Sequence, residues 1–289
     1  MSINITVYNG VCNRLLPIIS SIRLAKKSDR KNVNVTWTHT PLRCCLAPTS
    51  TEKCVFSDLF ENVEGLTHEQ PILNIGRTYC DNNIVDISGD CNINLIMNTY
   101  PLLSLDDISK GYDLTSKIDK SIKIIFEKYE LELSNILKIF KPVSNLKNTI
   151  SSIHQTFSKK MVGLHIRKTD GGFVDRVWDD IIKILLIKLK RWCEVEDNGV
   201  FLATDDYNAQ QSFSCLGKKL VIYAPILSKF TNDKYSAICG IVDLYLLGKC
   251  DVIIGTSGST FSICAMLLAD NNADKYMINK TSDLDDINF

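Results

Sequence analysis

Hydrophobic and polar positions alternate along the chain in a pattern typical of β-strands followed by amphipathic helices. An apolar strand at residues 3 to 8 precedes a turn, NGVCN, and a helical pattern from about residue 14 to residue 27. A second strand is predicted at residues 33 to 37. Strand, glycine turn, helix and strand form a βαβ unit, which predicts a parallel sheet.

The second half of the chain repeats this alternation more regularly. Strands are predicted at residues 161 to 166, 200 to 203, 220 to 223, 252 to 254 and 275 to 278, and helices at 178 to 192, 207 to 215, 234 to 248 and 259 to 269. This order predicts a doubly wound parallel sheet.

The segments before that half are less regular. Short apolar runs at residues 72 to 75, 84 to 87 and 94 to 97 predict strands separated by long loops. Two helical patterns, at about 116 to 140 and 144 to 157, are separated by Pro142, which cannot continue a helix. This pair is the expected bridge between two domains, residues 1 to 141 and residues 142 to 289.

Composition and charge narrow the class of partner. The 289 residues include 33 basic and 33 acidic side chains, and 45% of them are hydrophobic, enough for a sizeable core. A chain without net charge has no electrostatic footprint for nucleic acid, so an anionic ligand must be held by a local cluster. A small ligand is therefore expected.

The cysteines and the hydropathy of the chain indicate in which cellular compartment the protein is expected. The eleven cysteines are odd in number, no two have CxxC spacing, and several lie inside apolar runs, which favours buried thiols over disulfides or metal ligands. No apolar run reaches membrane-spanning length, and no signal peptide precedes the first strand. A cytoplasmic protein without a membrane span is expected.

Polar clusters follow three predicted strands of the second half. MVGLHI ends in RKTD, VFLA in TDD, and DVIIG in TSGST. Carboxyl ends of parallel strands meet at one edge of a sheet, so these clusters are expected to lie together. Arg167 and Lys168 offer positive charge there, the helix start at residues 256 to 260 offers N–H groups and hydroxyls, and Asp205 or Asp206 can accept hydrogen bonds from a purine or ribose. The combination predicts a diphosphate site.

Each cluster alone also has an ordinary structural interpretation. HxRxxD after a strand can be a surface turn with an ion pair, and the aspartate pair and TSGST can simply cap helices. The diphosphate interpretation is favoured because all three clusters fall at strand ends of one βα array. TSGST lacks the Gly-Lys-Ser/Thr ending of a P-loop and the final glycine of a nucleophile elbow. No residue set has metal-ligand spacing after a strand, so no metal is expected.

The same segments resemble a known family when taken together. They read HIRKTD, FLATDD and DLYLLGKCDVIIGTSGSTFSICAMLL, in this order. They resemble the three donor-site motifs of the fucosyltransferase superfamily, which includes the NodZ-like, core α-1,6- and protein O-fucosyltransferases. Two N-terminal segments, GVCNRLLPIISSIRLAK and CVFSDLFE, resemble that group's opening glycine loop and helix and a further segment.

The resemblance implies an α/β protein of the GT-B fold, with two Rossmann-like domains whose parallel sheets face a central cleft. Residues 1 to 141 would be the acceptor side and residues 142 to 289 the nucleotide-sugar side. It implies an inverting glycosyltransferase with GDP-fucose as co-substrate and an oligosaccharide or glycan as acceptor. Neither a metal nor another cofactor is implied.

The resemblance also implies roles for single residues. Arg167 would hold the diphosphate, and Asp175 stands where core fucosyltransferases carry a glutamate proposed as general base. Asp175 can equally form a salt bridge or cap the helix at Trp178. Lys168 replaces a second arginine of many members and loses bidentate geometry. The other expected donor contacts are Asn13 and Arg14 of the opening loop, His165 and Asp205 or Asp206 at the guanosine, and Ser257, Ser259 and Thr260 at the phosphates.

The departures from the family's motifs leave alternatives open. Gly171 stands where some members have lysine, and SGST stands in place of FSSQ. The same transfer with xylose or rhamnose remains possible. So does a nucleotide-sugar or glycan-binding protein of the same fold whose catalysis has lapsed.

Overall fold

A computed structural model describes most of the chain as two compact units. The described residues are 2–7, 10–27, 32–37, 55–69, 84–87, 93–97, 129–168, 175–223 and 234–287. The first unit comprises Met1–Val143 and Asn232–Ala237, and the second comprises Ser144–Thr231 and Ile238–Phe289.

The first unit contains a five-stranded sheet in the order β3-β2-β1-β5-β4. All neighbouring strands are parallel except β4 and β5, which are antiparallel. Its elements are β1 (Ser2–Val7), α1 (Val11–Lys27), β2 (Asn32–Trp37), α2 (Phe56–Leu59), β3 (Leu66–Glu69), β4 (Ile84–Ile87) and β5 (Ile93–Met97), and residues 129–137 are also helical.

The core of the first unit follows from alternation along its strands. Ile3, Ile5 and Val7 of β1 are buried, as are the alternate residues Val33, Val35 and Trp37 of β2. The intervening residues of the two strands are polar, and the side-chain amide of Asn34 donates to Asn4 across the sheet. One face of these strands therefore supplies the apolar core, as a period of two predicts.

The second unit contains a five-stranded, fully parallel sheet in the order β10-β9-β6-β7-β8. Its elements are α3 (Ser144–His154), β6 (Lys160–Ile166), α4 (Asp175–Cys193), β7 (Asn198–Thr204), α5 (Tyr207–Phe213), β8 (Leu220–Val221), most of α6 (Lys234–Leu247), β9 (Val252–Thr256), α7 (Thr260–Leu268) and β10 (Asp274–Ile278), with 3-10 turns at Ser214–Lys219 and Thr281–Leu284.

The central strands of this sheet are buried from end to end. Every residue of β7 and β9 is buried, and so is every residue of β6 except the first. Continuous burial is typical of a parallel sheet covered on both faces. The doubly wound parallel sheet predicted from the sequence is therefore confirmed.

Several element bounds differ from the predictions. Helix α1 begins at Val11, before the predicted residue 14, and Cys12 of the added turn is buried. Strand β8 is only Leu220–Val221, and α5 ends at Phe213 in a 3-10 turn. The apolar runs at 84–87 and 94–97 are strands, whereas the run at 72–75 and much of the predicted helix from 116 lie outside the described residues.

Two further findings concern the described part of the chain. Within it, no helix combines the length and the apolar character that crossing a membrane requires. The thiol of Cys250 is buried, and burial raises its pKa far above the ordinary range.

The role of each domain and the predicted cleft between the two sheets stay predictions.

Candidate active site

The strand order of the second sheet reverses between β6 and β9. Counted in chain order, the strands lie 5-4-1-2-3, so the first strand of the unit, β6, has β7 on one side and β9 on the other. The pairing of β6 with β7 continues to Ile166 and Thr204, but the pairing of β6 with β9 stops at Leu164 and Ile254. In open parallel sheets, ligands bind at such a reversal, beyond the carboxyl ends of the strands.

A buried threonine links the two strands beyond the last ladder pair. The backbone N–H of Arg167 donates to Oγ1 of Thr256 over 3.0 Å, and this hydroxyl donates to the carbonyl of His165, also over 3.0 Å. Thr256 is 3% exposed. The backbone on either side of Ile166 is therefore held by a side chain of the neighbouring strand.

The His165 side chain lies beneath the start of helix α7. Its Nδ1 is 2.7 Å from Oγ of Ser262, and its ring stacks on Phe261 with 4.6 Å between ring centroids. The residue is only 6% exposed. The structure thus shows His165 packed against α7, and its predicted contact with guanosine stays a prediction.

Two cations and three carboxylates lie at the carboxyl ends of β6 and β7. The ammonium of Lys168 is 3.2 Å from Asp179 and 3.6 Å from Asp206, while the guanidinium Nε of Arg167 is 3.7 Å from Asp205. The backbone N–H of Lys168 also donates to Asp205. Arg167, Lys168, Asp205 and Asp206 are thus brought together, as the sequence predicts.

The side chains of Lys168 and Arg167 differ in how accessible they are to a ligand. The Lys168 side chain is 13% exposed and lies between two carboxylates, so much of its charge is already balanced within the protein. The Arg167 side chain is 39% exposed, and its guanidinium Nε is 3.7 Å from the Asp205 carboxylate. An incoming anion can therefore reach Arg167 more readily than Lys168.

Asp206 has a structural role in addition to its ion pair. It occupies the N-cap of α5, where its carboxylate accepts from the backbone N–H of Ala209 over 3.0 Å. Its own N–H donates to Oγ1 of Thr204. Asp205 is therefore the member of the pair whose carboxylate is not used for capping.

Replacement of Asp206 separates its capping role from its charge. Asp206→Ala removes both and is expected to lower the free energy of unfolding by about 1 kcal/mol, whereas Asp206→Asn keeps a good capping residue and is expected to lower it by less than half of that. Urea unfolding of the two variants measures the difference. Equal destabilisation by alanine and asparagine would contradict a capping role.

The TSGST segment forms a tight entry into α7. Gly258 has a φ of 75°, a left-handed conformation that suits glycine, and Ser259 occupies the N-cap. The backbone N–H of Ser257 donates to the carbonyl of Ile278 on β10. Ser257, Ser259 and Thr260 are half-buried at this helix start, where the helix dipole favours an anion.

The remaining predicted site residues lie in other parts of the chain. Asn13 is half-buried in the first turn of α1, and Arg14 is buried with its guanidinium 4.6 Å from the centre of the Trp37 ring. Asp175 begins α4, and its side chain is outside the described set, as are residues 169–174. The roles predicted for these three residues stay predictions.

Three residues at this edge were not singled out by the sequence, and a fourth was given another role. Phe261 and Ser262 were interpreted as part of an apolar helix, and their contacts with His165 bridge almost a hundred positions. Thr256 was expected at the helix start of residues 256 to 260, as one of its N–H and hydroxyl donors, but it closes a buried strand and bonds the backbone of β6 instead. Asp179 carried a weak signal, since an acid near a helix start beside a basic strand end can form an ion pair.

The described geometry of the second unit is that of a Rossmann-like ligand-binding domain. The second unit is a Rossmann-like sheet whose reversal point carries an accessible arginine, paired aspartates and a helix start. No protein-family model and no curated sequence matches the chain.

Solved structures do match, along nearly the whole chain. NodZ α-1,6-fucosyltransferase soaked with GDP-fucose has a TM-score of 0.56 at 14% identity over 93% of this chain and 92% of its own. A mutant of Arabidopsis thaliana FUT1 in complex with GDP has a TM-score of 0.59 at 13% identity over 96% and 70%. Apo POFUT1 has a TM-score of 0.54 at 12% identity over 96% and 97%. The predicted resemblance to the GT-B fucosyltransferases is confirmed at the level of the fold.

Proposed function

We propose that the chain is an inverting, metal-independent glycosyltransferase that moves L-fucose from GDP-fucose to a hydroxyl of a glycan acceptor. The observation that carries the proposal is the position of Arg167, partly exposed at the strand-order reversal of a Rossmann-like sheet near the residues that open α7. The fold shared with NodZ, which was soaked with GDP-fucose, and with FUT1 in complex with GDP supports a GDP-sugar as donor.

The chemistry of transfer calls for the groups found at this edge. The acceptor oxygen forms a bond to the anomeric carbon while the bond from that carbon to the phosphate oxygen breaks, and GDP leaves with the electron pair. Negative charge therefore grows on the diphosphate in the transition state. Arg167 and the N-terminus of α7 can stabilise that charge, because fixed donors act most strongly where charge develops.

The other assignments belong to the same proposal. Asp205 accepts hydrogen bonds from the guanosine, since Asp206 already caps α5. Asp175 takes the proton of the acceptor hydroxyl as general base. Residues 1 to 141 hold the acceptor and residues 142 to 289 the nucleotide sugar, and the protein acts in the cytoplasm.

We propose metal independence because of the side chains found near Arg167. Within the described residues, no group of three or more His, Cys, Asp and Glu side chains could hold a metal ion. The carboxylates near Arg167 are instead engaged by cations or backbone N–H groups. The charge on the leaving diphosphate is then met by protein groups.

The direct test is turnover of GDP-fucose by the purified protein in EDTA, with and without a panel of oligosaccharide acceptors. Release of GDP and appearance of a fucosylated product with inverted configuration are expected. Turnover of a GDP-sugar other than GDP-fucose would move the proposal to another sugar. GDP-sugar binding without any release of GDP would favour the lapsed, binding-only protein.

A further inference from the structure

We infer that Thr256 is a positioning residue for Arg167, acting through its side-chain hydroxyl. The inference rests on the proposed function, in which Arg167 holds the diphosphate of the donor. Thr256 contacts the backbone on both sides of Ile166, and its side chain is buried. It therefore acts on the geometry of the site without lining it.

The hydroxyl takes the place of a missing ladder bond. Backbone pairing of β6 with β9 ends at Leu164 and Ile254, yet β9 continues to Thr256, where it still pairs with β10 at Ile278. At the point where β6 and β9 separate, the Thr256 hydroxyl accepts from the Arg167 N–H and donates to the His165 carbonyl. One side chain thus satisfies two backbone groups that parallel pairing leaves open at this edge.

This bridge fixes the direction in which Arg167 leaves the strand. On the other side of β6, the ladder with β7 ends at Ile166 and Thr204, and the next contact is the Lys168 N–H that donates to the Asp205 side chain, which leaves the Arg167 N–H to Thr256. The Arg167 N–H is thereby tied to β9, the strand that leads directly into the TSGST turn and α7. The hydroxyl links the cation to the helix start that would bind the same diphosphate.

The expected effect of losing the hydroxyl is kinetic. Misplacing a catalytic group by a fraction of an ångström costs most in the transition state, where its hydrogen bonds are strongest. Thr256→Val keeps the shape of the side chain but cannot form either bond, and we expect it to lower kcat about tenfold with KM changed by less than about twofold, the range expected for loss of one or two neutral hydrogen bonds. Thr256→Ser keeps the hydroxyl and is expected to recover most of the rate.

The experiment compares kcat and KM for GDP-fucose in the wild type, Thr256→Val, Thr256→Ser and a control, Asn198→Ala. Asn198 is also buried and also bonds a backbone carbonyl through its side chain, that of Trp192, but it begins β7 at the opposite edge of the sheet. The control is expected to lose stability and keep its kcat. The final arm adds Thr256→Val to Arg167→Ala, and no further loss is expected because the group being positioned is gone.

The outcomes separate this inference from the proposed function. A Thr256→Val enzyme with normal kcat, a serine variant as slow as the valine variant, or a full additional loss in the double variant would each overturn the role of Thr256 while leaving the proposed function intact. A wild-type protein that neither binds GDP nor turns over a GDP-sugar would overturn both.

Discussion

Arg167→Ala is expected to lower the rate of sugar transfer by on the order of a hundredfold while the protein stays folded. The size is that of removing one preorganised donor from a site that stabilises developing charge. Lys168 is not expected to compensate, because its ammonium is already held between Asp179 and Asp206. The loss should appear more in kcat than in donor affinity, since the leaving diphosphate carries more charge than the bound one.

Two further variants sharpen this prediction. Arg167→Lys is expected to recover little of the rate, because an ammonium cannot reproduce the planar fork of a guanidinium. Arg191→Ala serves as the matched control, since Arg191 is an exposed arginine in the last turn of α4. Single-turnover rates and melting temperatures of the three variants check the prediction. A folded Arg167→Ala protein with near-normal transfer would contradict the donor-site assignment.

Gly255→Ala is expected to destabilise the second unit by about 1–3 kcal/mol, the usual cost of overpacking a core. A Cβ at position 255 would lie 2.6 Å from Cβ of Ser262 and 3.1 Å from Cε of Met266. Both neighbours belong to α7, so the helix would have to move away from β9. Because Ser262 also contacts the His165 ring, the same movement would disturb the site.

Gly240→Ala provides the control for this substitution. The nearest atom to a Cβ at position 240 is Cε2 of Phe261 at 4.0 Å, an ordinary contact, and the residue lies in α6. Alanine is the better helix former, so this variant is expected to be neutral or to gain up to about 1 kcal/mol. Urea unfolding of both variants gives the comparison. Equal stability of the two would contradict close packing of β9 against α7.

The sequence predicts the second unit well because its signals are local. Each strand is a short apolar run, each helix has a regular apolar spacing, and polar residues begin where the strands end. The rule that parallel strands align their carboxyl ends then brings Arg167, Asp205 and TSGST to one edge. None of these steps requires knowledge of a contact between distant residues.

The finer features of the site could not be predicted because they depend on contacts between residues that are far apart in the sequence. That Lys168 lies between Asp179 and Asp206 depends on how α4 and β7 pack beside β6. The role of Thr256 depends on where two strands separate, which is a property of the sheet's twist and register and not of the residue type. In the same way, the packing of His165 against α7 follows from tertiary contacts.

The most direct measurement of the central claim, a GDP-sugar site at the carboxyl edge of the second sheet, is a thermal-shift titration with GDP and UDP in EDTA. GDP at a hundred times its dissociation constant is expected to raise the free energy of unfolding by about 2.7 kcal/mol. UDP at the same concentration is expected to give a smaller shift, and Arg167→Ala to reduce the GDP shift. A wild-type protein whose melting temperature responds to neither nucleotide, or responds to both equally, would contradict the account.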